Sequence, residues 1–191
     1  MGKRMGRVLV IVAALTIASL VWAQPQRQAV PEGRPSAAPK AAVIPSSSLN
    51  QMFKATVGDS RVDEALRVVN AGSAHYGVYI LTEVPRPAPT GTGPIRGQFH
   101  DKVGEIYHVV SGAGTFLIGS ELDPSTVTTR VSELTGPGGN GVIKDPQLVK
   151  YEAGTILVIP PGVPHNATYE VTERTNFIIY RIDPAKSLQL K

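Results

Sequence analysis

An amide, an imidazole and a carboxylate, Gln98, His100 and Glu105, lie in one short stretch of this 191-residue chain, and the stretch closes on Gly112. A second imidazole, His165, ends the run that begins at Gly154. Strand side chains alternate faces, so Gln98 and His100, two residues apart, point the same way. Asp101 to Gly104 reads as a loop, and Glu105-Ile-Tyr-His-Val-Val-Ser as the returning strand of a hairpin that sets Glu105 opposite Gln98 and His100. His165 follows a strand-like segment, Thr155 to Ile159, and a Pro-Pro-Gly-Val-Pro turn whose prolines restrict its angle of entry. Four oxygen or nitrogen donors can therefore converge. Two imidazoles and one carboxylate are the ligand set of facial-triad metal sites, which keep positions open for substrate or oxygen.

The elements that must position these residues are short strands punctuated by Gly and Pro. Leu66 to Asn70 and Ala74 to Val84 read as a hairpin around Ala71-Gly72-Ser73. Pro85 to Pro94 must be a loop, since proline cannot donate to a ladder, and it borders the strand carrying Gln98 and His100. Further strands are expected at Gly114–Ser120, Val127–Leu134, Gln147–Tyr151 and Asn176–Asp183, with a polar tail from Pro184. The run Gly136 to Gly141 lacks the Lys-Ser/Thr of a phosphate loop and reads as an inter-strand loop. Ser48 has the character of an N-cap, with Leu49, Met52 and Phe53 on one face of a short helix. This pattern predicts an all-β jelly roll with a short N-terminal helix.

The two motif stretches resemble those of the cupin superfamily. Its first motif is Gly, five residues, His-x-His, three or four residues, Glu, six residues, Gly. His100, Glu105 and Gly112 match the second His, the Glu and the last Gly. Its second motif is Gly, five residues, Pro-x-Gly, two residues, His, three residues, Asn. Gly154, Pro160, Gly162 and His165 match without a gap. Gln98 stands at the first His position and Tyr169 at the closing Asn. The resemblance covers roughly residues 92 to 170 and implies a cupin-type jelly-roll β barrel, here a single domain over 48–191. It also implies a divalent metal ion (Fe, Mn or Zn) held by His100, Glu105 and His165, and homodimerisation as an expectation. Gln98 is a further candidate ligand, with water binding or orientation of His100 as its alternatives, because an amide oxygen suits hard ions better than soft ones.

The remaining candidates divide by strand face. Tyr107 shares the face of Glu105 and is a candidate proton donor or a barrel-filling aromatic, while His108 falls on the opposite face. Tyr79, Tyr169 and Arg181 are secondary cavity candidates, and His75 reads as structural. Nothing resembles a Ser-His-Asp triad, and the chain has no cysteine, which excludes disulfides and thiolate ligands.

The N-terminus carries Lys3, Arg4 and Arg7 before an apolar run from Val8 to Val21, and Val-Trp-Ala precedes Gln24. This is the pattern of a secretory signal peptide, residues 1–23, cleaved after Ala23. The alternative is an uncleaved anchor, but the run falls short of the ~20 apolar residues a spanning helix needs. Residues 24–47, rich in Pro, Ala, Ser and Gln, read as a disordered linker. Without the three leader charges, 16 basic residues face 15 acidic ones, so no basic patch suggests nucleic acid. The sequence thus points to a secreted or periplasmic protein with no stable membrane span after cleavage. Its expected role is that of a metal-dependent enzyme of dioxygenase, isomerase or lyase type, taking a small organic substrate. The alternative is a non-catalytic periplasmic protein that binds a small molecule in the same cavity.

Overall fold

The computed structural model describes residues 41–55 and 62–191. The proposed leader, 1–23, and most of the linker lie outside them. One helix, α1 (Ser46–Ala55), precedes ten strands among the described residues. These are β1 (Val62–Asn70), β2 (His75–Glu83), β3 (Arg96–His100), β4 (Gly104–Ile118), β5 (Glu121–Leu122), β6 (Thr128–Ser132), β7 (Gly136–Lys144), β8 (Gln147–Glu152), β9 (Ile156–Ile159) and β10 (His165–Asp183). No described helix is long and apolar enough to cross a membrane. The fold is an all-β, curled antiparallel barrel, as the alternating sequence pattern requires.

The helix starts two residues before the expected cap at Ser48, because the carbonyl of Pro45 already accepts from the Ser48 amide at 3.0 Å. Its partly buried residues include Leu49, Met52 and Phe53, the face the sequence marks out.

The long strand β10 organises the barrel. It pairs with β2 from Thr175 to Asp183, and with β4 from His165 to Ile182. Its register with β4 slips at several points, and such bulges bend a strand and sharpen its twist. β4 runs straight through Gly112, where the sequence suggested an end. Gly112 has φ +89°, and any Cβ there would strike the Arg174 backbone, so the strand can pass only with glycine.

Three further expectations change. Gln98/His100 and Glu105 do not share a hairpin: β3 pairs with β7 and, through Gln98 and His165, with β10, while β4 pairs with β8, β9 and β10. Residues 101–103 therefore carry the chain across the barrel rather than around a tight turn. The glycine-rich run is not a loop but most of strand β7, held between β3 and β6. A Cβ at Gly139 would lie 2.7 Å from the Phe99 ring and 2.9 Å from the Thr128 carbonyl oxygen, and one at Gly138 would collide with the Phe99 carbonyl. Glycine here permits close strand approach rather than a turn. The tail is not simply polar either. Leu188 is buried in the core, its amide donates to Asp183 at 2.7 Å, and Lys191 exchanges two backbone hydrogen bonds with Val68.

The core fills the barrel with the inward residues of β2, β4, β9 and β10. Tyr107, Phe116, Tyr151 and Phe177 pack edge to face, with centroids 5.0 to 5.9 Å apart. This packed floor leaves the polar residues of β3, β4 and β10 at one end.

Candidate metal centre

Glu105 is inward on β4, in the alternating buried series Glu105, Tyr107, Val109. It lies opposite Ile159 of β9 and Arg181 of β10. His100 ends β3, where its carbonyl accepts from the Gly162 amide at 2.7 Å. That bond ties the Pro-Pro-Gly turn, with Gly162 at φ +83°, to the strand carrying the first imidazole. The turn then delivers His165 as the first residue of β10.

Three elements thus bring His100, Glu105 and His165 together, all buried, with one ligand atom of each within 4.8 Å of the others. Glu105 Oε2 lies 3.4 Å from His100 Nε2 and 3.2 Å from His165 Nε2. Ligands on one ion with bonds of about 2.1 Å lie roughly 3.0–3.4 Å apart, so these separations suit a shared cation.

The hydrogen bonding supports the same conclusion. His165 Nδ1 is 3.0 Å from the Val163 carbonyl, which can only accept, so Nδ1 carries the proton and Nε2 presents a lone pair. That Nε2 is buried without a hydrogen-bond partner, as are both ring nitrogens of His100. Burial pushes the His100 pKa down, against the opposing pull of Glu105, and keeps its ring neutral. Buried lone pairs aimed at one carboxylate oxygen are costly unless a cation joins them. The donor set therefore fits a divalent metal ion.

The other carboxylate oxygen is already engaged. Arg181 Nε donates to Glu105 Oε1 at 2.7 Å, and its Nη1 donates to the Leu134 carbonyl at 2.9 Å. The guanidinium stacks 4.1 Å above the Tyr79 ring, so Tyr79 supports Arg181 from within the core. Burial alone would raise the Glu105 pKa, but the Arg181 charge beside it opposes this, and the carboxyl stays well below the usual range. Tyr107 donates its hydroxyl to Oε2 at 3.0 Å. Burial, then the Glu105 charge, push its pKa well above the ordinary tyrosine value, so it keeps its proton. Such outer partners orient a ligating carboxylate.

Gln98 lines the cavity beside the triad, but its Oε1 accepts from Arg130 Nη2 at 2.7 Å. That bond engages one of the two lone pairs of the candidate ligand oxygen. His108 lies half-buried on the outer face, and His75 is buried with Nδ1 2.9 Å from the Leu188 carbonyl. Tyr169 packs against a separate apolar cluster of Leu117, Leu122 and Ile143.

Arg181 is more central than its sequence position suggested. The signal was present: Phe177, Ile179, Arg181 and Asp183 form the buried face of β10, and an arginine in such a series needs a partner. Arg130, Arg96 and Asn140 gave no comparable signal, because strand pairing alone brings them to the site.

A cavity of about 350 Å³ opens beside the triad, lined among others by Arg96, Gln98, Tyr107, Asn140, His165 and Arg181. Its volume lies at the small end of ligand pockets, which run from about 300 to 1,000 Å³.

No family model matches the chain, and no curated protein does. Cupin-type proteins are among the solved structures similar to it. An RmlC-like cupin protein from Desulfovibrio desulfuricans is 16% identical, over 68% of this chain and 90% of that one, with a TM-score of 0.34. A Bacillus halodurans protein is 15% identical, over 80% and 88% of the two chains, with a TM-score of 0.42. The iron(II) form of HppE with its substrate is 12% identical, over 64% of this chain and 53% of that one, with a TM-score of 0.36.

Proposed function

We propose that this chain is an exported, cupin-type, metal-dependent enzyme, of dioxygenase, isomerase or lyase type, acting on a small organic substrate. The observation that carries this reading is the pair of buried, unpartnered Nε2 atoms of His100 and His165, both directed at Glu105 Oε2 beside a cavity. His100, Glu105 and His165 would hold the ion, which as iron, manganese or zinc supplies Lewis-acid polarisation of a substrate oxygen, or oxygen-dependent chemistry.

The chain's own residues supply the rest. Arg181 keeps Glu105 ionised and fixes its orientation through Oε1. Tyr107 holds a proton on its hydroxyl at the cavity wall, next to the carboxylate, and is the candidate donor to a substrate oxygen. The packed aromatic floor excludes water from below. Export rests on the 1–23 leader, and N-terminal sequencing of the secreted protein should begin at Gln24.

The direct test is elemental analysis of protein purified without chelator or nickel affinity. Wild type and His108→Ala should retain near-stoichiometric metal, whereas His100→Ala and His165→Ala should lose it while staying folded by circular dichroism. Equal metal in all four would overturn the assignment. Absence of metal in wild type, even after reconstitution, would favour non-catalytic small-molecule binding, a reading consistent with the engagement of Gln98 by Arg130.

A further inference from the structure

Gln98 stands at the strand position from which a fourth ligand would reach the metal, yet its surroundings give it a different task. Arginine carries five donors and no acceptor, so the Arg130 Nη2 bond at 2.7 Å fixes the amide with its oxygen toward Arg130. The group left over is the Gln98 NH2, which forms no hydrogen bond among the described residues and belongs to a side chain lining the cavity. The amide can thus offer a donor on this wall.

This donor has neighbours. Arg96 precedes Gln98 by two residues on β3 and so shares its face. Asn140 of β7 is paired directly with Gln98 across the ladder. All three line the cavity, and the Arg96 and Asn140 side chains form no hydrogen bond or ion pair among the described residues. In and directly behind this lining, three guanidinium groups (Arg96, Arg130, Arg181) face two carboxylates (Asp63, Glu105), leaving a positive excess before any metal is counted.

We infer that Arg96, Gln98 and Asn140 form an oxyanion subsite, so that the substrate is a small organic anion whose carboxylate or phosphate docks on this wall beside the His165 end of the triad. The metal centre supplies the setting, so the claim that this anion is a substrate rests on the proposed function. The subsite itself needs no metal. Arg130 acts as a positioning residue, because it sets the orientation of the Gln98 amide without touching the anion.

The test is calorimetric titration with succinate and with inorganic phosphate, on metal-loaded and on chelator-treated protein. Wild type should bind at least one probe saturably in both forms, and the preferred probe distinguishes carboxylate from phosphate recognition. Gln98→Glu replaces the donor by an acceptor of like charge to the probe. It should weaken binding by about tenfold or more, as expected for loss of a hydrogen bond to a charged group, while metal content stays at the wild-type level. Arg96→Met, at the exposed mouth where misfolding is not at issue, should weaken binding comparably. Arg130→Met should weaken it too, again with metal retained.

Wild-type affinity in both Gln98→Glu and Arg96→Met would overturn the subsite. So would loss of metal in Gln98→Ala to the extent seen in His165→Ala, since Gln98 would then be a ligand. Metal uptake without binding of either probe would sink this inference and leave the metal centre standing. Probe binding without metal uptake would do the reverse.

Discussion

At the scale of single residues, the decisive contact is between Arg181 and Glu105. A buried carboxylate shared by two imidazoles needs positive charge: the guanidinium supplies it on Oε1, and the proposed metal ion would supply it on Oε2. Removing the first should therefore reveal the second. In metal-free protein, Arg181→Met should cost about 3–5 kcal/mol, the range found when one partner of a buried ion pair is deleted. Metal should recover part of that loss, because the ion compensates the same carboxylate. Urea unfolding with and without added metal measures both values, and an Arg181→Met loss that metal leaves unchanged would argue against the cation site.

At the scale of elements, β7 shows how composition can mislead. Six residues with four glycines have the composition of a loop, yet they pair on both edges, with β3 and with β6. Their backbone hydrogen bonds are satisfied by the ladder, and their missing side chains make room for Phe99. Gly138→Val should thus destabilise the barrel by about 1–3 kcal/mol through overpacking, whereas Gly93→Ala, with nothing near its Cβ position, should stay within about 0.5 kcal/mol of wild type. Thermal denaturation of the two variants checks the contrast. β7 also carries Asn140 to the cavity and supports the strand holding Gln98 and His100, so a Gly138 substitution should loosen the site as well as the fold.

For the whole molecule, the site's charges make stability depend on pH. His100 is shifted below its ordinary value of 6.5, so below that pH the unfolded chain takes up a proton that the folded chain refuses. Glu105 is shifted well below its ordinary 4.5, so a second loss begins as pH falls past that value. Both contributions are fully present at higher pH and are lost on acidification. Chelated protein should therefore show a urea midpoint that declines in two stages, the first as pH falls past 6.5 and the second as it falls past 4.5 and below. His100→Ala should flatten the first stage, and an unchanged profile in that variant would contradict the assignment of the upper limb to His100.

The amino-acid sequence by itself determined the strand texture, the inward alternation Glu105–Tyr107–Val109 and the candidate trio His100, Glu105 and His165. Each follows from local rules: the two-residue period of a strand, and the turn-forming character of Gly and Pro. Only the tertiary structure decided how the trio meets. Local pattern favoured a hairpin between β3 and β4, but the long-range pairing of β10 with β2, β3 and β4 set the partners instead. The tertiary structure likewise made Arg130 the hydrogen-bond partner of Gln98, and brought Arg181 onto Glu105. Those contacts join residues separated by 32 and 76 positions. No local periodicity specifies pairings at that distance; they depend on which strand edges remain open once the core has closed.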